Sequence, residues 1–187
     1  MKLIKIILVL FISFNTPFKV ISANDLKNIS KESGKLIFIR HAYAPGSGDP
    51  DGFKISNCAT QRNLNSEGVE QSKQIGKFFI DNNIVIDKVL SSEWCRCKQT
   101  AEYAFNNNYK SKSFLNSFFS QEFYHNKDKQ IKELKEYIKK WNGKNNLILV
   151  THYVVILEIL NLSVTSGEII VTDKDFNILV RKNTKNN

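Results

Sequence analysis

Lys35-Leu36-Ile37-Phe38-Ile39-Arg40-His41 is the stretch that decides the fold. A near-continuous apolar run of this length suits a strand buried on both faces, as in a parallel sheet. It ends at His41, and Ala44-Pro45-Gly46-Ser47-Gly48-Asp49-Pro50 then reads as a loop. Leu147-Ile148-Leu149-Val150 repeats the pattern and runs into Thr151-His152. Ile84 to Leu90 predicts another strand, closed by Ser91-Ser92. Helices are predicted between these strands. The first is capped by Asn65 or Ser66 and runs to about Ile80, with Val69, Ile75, Phe79 and Ile80 on its apolar side. Others span about Glu93 to Ala104, Lys127 to Trp141 (Ile131, Leu134, Ile138 and Trp141 at helical spacing) and Val154 to Leu160. Residues 106–123 are polar and aromatic without a clean period and predict an irregular excursion. Ser166 to Thr172 and Phe176 to Arg181 alternate around Asp173-Lys174-Asp175 and predict a hairpin.

Strands alternating with helices imply an α/β fold, a three-layer α/β/α arrangement with a largely parallel central sheet. In such sheets ligands bind beyond the carboxyl ends of the strands. His41 and His152 each lie just past such an end, and Ser91-Ser92 with Arg96 follow a third. The residues capable of chemistry therefore converge on one rim.

A length of 187 residues suits a single domain. Residues 1–23 read as a signal peptide, with a basic start at Lys2 and Lys5, an apolar run from Ile6 to Phe14 and small residues at Ser22-Ala23. An uncleaved anchor is the alternative, although the apolar run is short for a bilayer. A periplasmic or secreted address is expected, without stable membrane insertion after cleavage, and residues 24–187 form the mature domain. Loss of Lys2, Lys5 and Lys19 lowers the formal charge from +9 to +6. That balance suits anionic ligands. Much of it lies in Lys127 to Lys144 and in the tail from Arg181 to Lys185, with no Arg-rich arm or zinc-finger spacing, so nucleic acid is not an expected partner. Export permits one disulfide among Cys58, Cys95 and Cys97. Cys95 and Cys97 are too close to pair easily, so Cys58 with Cys95 is the pairing expected first, with Cys97 in the core. A zinc site built from these cysteines and a histidine is the alternative, and its spacings fit no standard structural pattern.

Four segments in order resemble the histidine phosphatase superfamily. Leu36-Ile37-Phe38-Ile39-Arg40-His41 is similar to its opening Arg-His strand. Leu64-Asn65-Ser66-Glu67-Gly68-Val69-Glu70-Gln71 resembles the start of its first helix. Val89 to Ala101 is similar to its second arginine segment, and Leu147 to His152 to the strand carrying its second histidine. Ser166-Gly167-Glu168 before a final strand also fits. The likeness covers most of the mature chain, and within the superfamily it is strongest to small exported bacterial members with an Arg-His-Ala-x-Ala-Pro-Gly-x-Gly-Asp-Pro loop. It implies a phosphoglycerate mutase-like fold and a phosphohydrolase that needs neither metal nor cofactor.

The resemblance also assigns roles. His41 is the nucleophile that becomes a phosphohistidine, Arg40 and Arg96 clamp the phosphoryl oxygens, and His152 donates to the transferring group. The proton donor is open. Some branches place an aspartate directly after the second histidine, but here that position is Tyr153. Glu122 and Asp49 are the two candidates, and His125 reads as a surface residue. The expected reaction is hydrolysis of a small-molecule or glycan phosphate monoester outside the cytoplasm, a lipopolysaccharide-core sugar phosphate being one option. A phosphohistidine or phosphoprotein phosphatase is the alternative enzyme, and a catalytically weak phosphate-binding module the alternative of another class.

Overall fold

The computed structural model describes residues 32–184, so the expected signal peptide lies outside the described residues. The chain runs β1 (Leu36–Arg40), a loop with a 3-10 turn at Cys58–Thr60, α1 (Ser66–Asp81), β2 (Ile86–Ser91), α2 (Cys95–Phe105) and β3 (Lys110–Ser111). A second 3-10 turn at Ser113–Leu115 leads to α3 (Gln121–Tyr124), α4 (Lys127–Lys140), β4 (Asn146–Thr151), α5 (Tyr153–Leu160), β5 (Ile169–Thr172) and β6 (Ile178–Lys182).

The six strands form one sheet in the order β3-β2-β4-β1-β5-β6. β1 pairs parallel with β4, and β2 pairs parallel with both β4 and β3. β5 runs antiparallel to β1, and β6 antiparallel to β5, giving the expected hairpin. The parallel centre is buried on both faces, and strand alternation divides its side chains between two cores. Leu36, Phe38, Leu147 and Leu149 face one layer with Leu134 and Ile138 of α4 and Val155 and Ile156 of α5. Ile37, Ile39, Ile148 and Val150 face the other with Ile75 and Phe79 of α1 and Cys97 and Ala101 of α2. The three-layer α/β/α reading is therefore the observed architecture. No helix among the described residues is long and apolar enough to cross a membrane.

Two local expectations are corrected. Ile80 does not belong to the buried side of α1: it is 75 % exposed. The buried stripe runs through Gly68, Gln71, Ser72, Ile75, Gly76 and Phe79, and Ile80 stands one residue, about 100°, beyond it. Residues 106–123 are also less irregular than their composition suggests, since β3, the second 3-10 turn and the start of α3 all fall there. Gln130 of α4 orders this stretch by donating to the carbonyls of Ser113 (2.7 Å) and Asn116 (3.1 Å).

α1 approaches α2 so closely that a Cβ at Gly76 would lie 2.4 Å from the carbonyl oxygen of Ala104. Gly76→Ala must therefore push the helices apart, and is expected to cost about 1–3 kcal/mol. For a domain of this size that is a fall in Tm of roughly 3–10 °C in a thermal melt. An unchanged Tm would show that the two helices separate without cost.

Candidate active site

β1 and β4 end side by side, which places His41 and His152 at the same edge of the sheet. Their rings meet edge to face with centroids 5.4 Å apart, and each residue is only 3 % exposed. Arg40 ends β1, and Arg96 lies in the first turn of α2, just beyond β2. The three strand ends thus bring Arg40, His41, Arg96 and His152 to one cavity of about 540 Å³. Asp49, Trp94, Phe53, Glu122 and Phe123 also line it. His125 caps α3 at the exposed surface, outside the cavity lining.

The loop after His41 is fixed by the segment that starts α1. Asn65 caps the helix by accepting from the Gly68 N–H at 3.0 Å. Gly68 leaves room for the carbonyl of Tyr43, which a Cβ there would meet at 2.0 Å. Gln71 accepts from the Tyr43 N–H (2.8 Å) and donates to the Ser166 carbonyl (2.9 Å). A disulfide between Cys58 and Cys95 fastens the same loop to the start of α2, one residue before Arg96. This is the pairing expected first, and Cys97 is the buried free thiol.

His41 has a fixed tautomer. Its Nδ1 lies 2.8 Å from the Ala42 carbonyl oxygen, which can only accept, so Nδ1 carries the proton and Nε2 keeps its lone pair. Burial pushes the pKa of His41 well below the ordinary histidine value, and the Arg96 guanidinium lowers it further. Burial and Arg96 act on His152 in the same direction, with His41 adding to them. Both imidazoles are therefore neutral near neutral pH.

The guanidinium groups hold most of the positive charge. Arg40 donates from Nη1 to the Val164 carbonyl (2.8 Å), and its guanidinium lies 5.6 Å from the centre of the Tyr153 ring. Arg96 donates from Nη1 to both oxygens of Asp49 (2.8 and 3.0 Å). The Nε atoms of Arg40 and Arg96 are buried and have no hydrogen-bond partner among the described residues. Asp49 also accepts from the Trp94 indole N–H (3.1 Å) and from the backbone N–H of Arg62 (3.1 Å). Glu122 stands differently: it is exposed, in the first turn of α3 at the cavity lip.

Sequence reasoning missed Arg62. It lines the cavity and donates to the carbonyls of Gly48 (2.6 Å) and Ala44, bracing the loop after His41. Its place in Gln61-Arg62-Asn63, directly before the quoted Leu64 segment, is the signal that could have found it. The mouth is walled by Phe53, Trp94 and Phe123, whose ring centroids lie 5.3–5.8 Å apart. These aromatics come from three separate segments, which no local spacing could bring together.

No protein-family model matches the sequence, and no curated protein matches it. Solved structures do. The chain is similar to the protein histidine phosphatase SixA complexed with tungstate, with TM-score 0.57 and 15 % identity over 80 % of this chain and 97 % of that one. A phosphoserine phosphatase mutant from Entamoeba histolytica in complex with phosphoserine aligns with TM-score 0.59 and 16 % identity, over 81 % of this chain and 98 % of that one. Phosphoglycerate mutase from Thermus thermophilus aligns with TM-score 0.56 and 16 % identity, over 79 % and 97 % respectively. The chain thus has a phosphoglycerate mutase-like fold.

Proposed function

We propose that this protein is a phosphomonoesterase that works through a phosphohistidine at His41. The observation that carries the reading is the environment of that residue. A neutral imidazole with its lone pair on Nε2 shares one cavity with Arg40 and Arg96, whose buried Nε groups have no partner among the described residues. A phosphate monoester supplies what those donors lack: several oxygens with spread negative charge around an electrophilic phosphorus. The tungstate of the SixA structure is a tetrahedral oxyanion of similar shape, and the phosphoserine of the Entamoeba enzyme is a phosphate monoester.

The geometry supports a two-step displacement. His41 Nε2 attacks phosphorus as the ester P–O bond breaks, and the Nδ1 proton stays on the ring. The Ala42 carbonyl then stabilises the positive ring of the phosphohistidine. Arg40 and Arg96 hold the non-bridging oxygens, and His152 adds a donor as charge develops. The leaving oxygen takes a proton from Glu122. Water then attacks phosphorus, Glu122 takes a proton from it, and the P–N bond breaks to release phosphate and free His41. Asp49 is the weaker candidate for the acid, because both its oxygens already accept from the Arg96 guanidinium and from other N–H groups. Its part is to hold Arg96 and Trp94 in place.

The substrate belongs outside the cytoplasm in this reading. The signal-like residues 1–23 and the Cys58–Cys95 bridge both support an oxidising compartment. A phosphorylated small molecule or glycan is the substrate this reading favours, its alcohol portion set against the aromatic residues Phe53, Trp94 and Phe123 of the cavity lining.

Three outcomes are expected. His41→Ala abolishes hydrolysis of phosphate monoesters while circular dichroism stays native, and rapid quench of the wild type with labelled substrate leaves acid-labile, base-stable label on His41. Retained turnover in the alanine variant would overturn the mechanism. Glu122→Gln lowers kcat/KM on alkyl phosphates by about 10²-fold. It leaves p-nitrophenyl phosphate nearly unaffected, because nitrophenolate departs without a proton. Equal losses on both substrates would remove Glu122 from the acid role. The third concerns stability. Each buried imidazole protonates at lower pH in the folded chain than in the unfolded one. The unfolded chain therefore binds more protons as the pH falls through about 6.5, so this contribution to stability is full above that value and is lost below it. Calorimetric Tm should drop between about pH 7.5 and 5, and should drop less in His152→Gln; an equal drop in that variant would assign the loss to other groups.

A further inference from the structure

A chain of buried hydrogen bonds leads away from His152 on the side of its Nε2. That nitrogen lies 2.9 Å from Ser92 Oγ, and Ser92 Oγ lies 3.0 Å from Asn116 Oδ1. Asn116 Oδ1 also accepts from the backbone N–H of Glu93 (2.9 Å), while Asn116 Nδ2 donates to the Glu93 carboxylate (2.7 Å). Ser92 and His152 are buried, and Asn116 is held from behind by Gln130, which donates to its carbonyl.

The direction of every bond in this chain is forced. Turning the Asn116 amide over would set its NH₂ against the Glu93 N–H and its oxygen against the Glu93 carboxylate, so the orientation is fixed. Asn116 Oδ1 can then only accept, which commits the single Ser92 hydroxyl proton to it. Ser92 Oγ already accepts from the Trp94 N–H at 3.2 Å, and has one lone pair left for His152. His152 must therefore donate from Nε2. A bare Nε2 would oppose its lone pair to that of Ser92 at 2.9 Å. Cys97 Sγ stands 3.4 Å from the same nitrogen, and its weak S–H would not offset such repulsion.

We propose that Ser92, Asn116 and Glu93 form a positioning relay that fixes His152 as the Nε2–H tautomer and leaves Nδ1 as the nitrogen available to a bound phosphoryl group. The inference deepens the phosphatase reading and rests on it for its catalytic consequence. His152 on its own is neutral, facing Arg40 at the end of β1, His41 just beyond it, Arg62 from the loop, and Arg96 and Cys97 from α2. A bound phosphate brings negative charge, so Nδ1 takes up a proton and donates it to a phosphoryl oxygen. The Glu93 carboxylate, acting through the Asn116 amide and the Ser92 hydroxyl, favours the resulting imidazolium. None of the three relay residues lines the cavity. Each acts through His152.

The test reads the tautomer directly. In the ligand-free protein at neutral pH, ¹⁵N NMR of His152 should show a proton on Nε2 only. Ser92→Ala and Asn116→Ala should each give a mixed or reversed tautomer, and saturation with inorganic phosphate should protonate Nδ1 in the wild type. On phosphate monoesters both variants should lose kcat by about 10–100-fold, the range seen when a partner that orients a histidine is removed. KM should change little, and the acid limb of the kcat–pH profile should move. Asn116→Asp places two carboxylates together and should be equally impaired. The double variant Glu93→Gln with Asn116→Asp restores a donor–acceptor pair and should recover most of the kcat. A wild-type proton on Nδ1 would overturn the relay, as would variants that lower Tm while leaving tautomer and kcat unchanged. The NMR measurement needs no turnover, so a protein that hydrolyses no ester yet shows Nε2–H would sink the phosphatase reading and leave the tautomer assignment standing.

Discussion

The crowding of positive charge at the ends of β1, β2 and β4 is the constraint from which the rest follows. Arg40, Arg62 and Arg96 share one cavity with two buried imidazoles. Guanidinium groups stay charged in proteins, so the histidines must give way. Their protonated forms are disfavoured first by burial and then by the arginines, which leaves both rings neutral. The same crowding that would repel a cation draws an anion, and it leaves His41 with a free lone pair. In the proposed reaction, binding and nucleophilicity are thus two results of one electrostatic arrangement.

Such an arrangement would fly apart without local counterweights. Asp49 supplies a carboxylate against Arg96, and the carbonyls of Val164, Gly48 and Ala44 take up N–H groups of Arg40 and Arg62. The loop that carries Asp49 is in turn held by Gln71, by the absence of a side chain at Gly68, and by Cys58. Residues from many separate segments therefore serve to keep a few donors facing one point. Preorganisation of this kind is where electrostatic catalysis has its source, because the donors need not reorient as charge develops.

Much of this is legible in the sequence, for physical reasons. Strands buried on both faces leave continuous apolar runs, so Leu36 to Ile39 and Leu147 to Val150 stand out, and the topology of parallel sheets sets His41 and His152 at one rim. The Leu64 to Gln71 segment can be recognised without its reason being visible. That reason is a backbone approach at Gly68 and a side-chain clamp at Gln71 on the loop after His41. Three features stay hidden because they depend on contacts between distant segments. Arg62 reads as an ordinary loop arginine until the chain folds back over Gly48. Asn116 sits in a stretch with no hydrophobic period, ordered by Gln130 from a later helix. Ile80 misleads because an apolar residue at the end of a helix looks like core whether or not anything covers it.

An odd number of cysteines is a hazard for an oxidatively folded chain, since the spare thiol can attack the bridge and shuffle it. Cys97 stands two residues from Cys95, close along the chain to the sulfur it could displace. The fold answers by immersing it. Burial drives the Cys97 pKa up to about 12, so thiolate, the only form that attacks a disulfide, is scarce at any physiological pH. The Cys58–Cys95 bridge spans 37 residues and ties the loop carrying Cys58 to the start of α2. Cys97 itself lies fully buried in the core against α1 and the sheet. A buried, protonated Cys97 therefore leaves the Cys58–Cys95 pairing without a nearby nucleophile to exchange with.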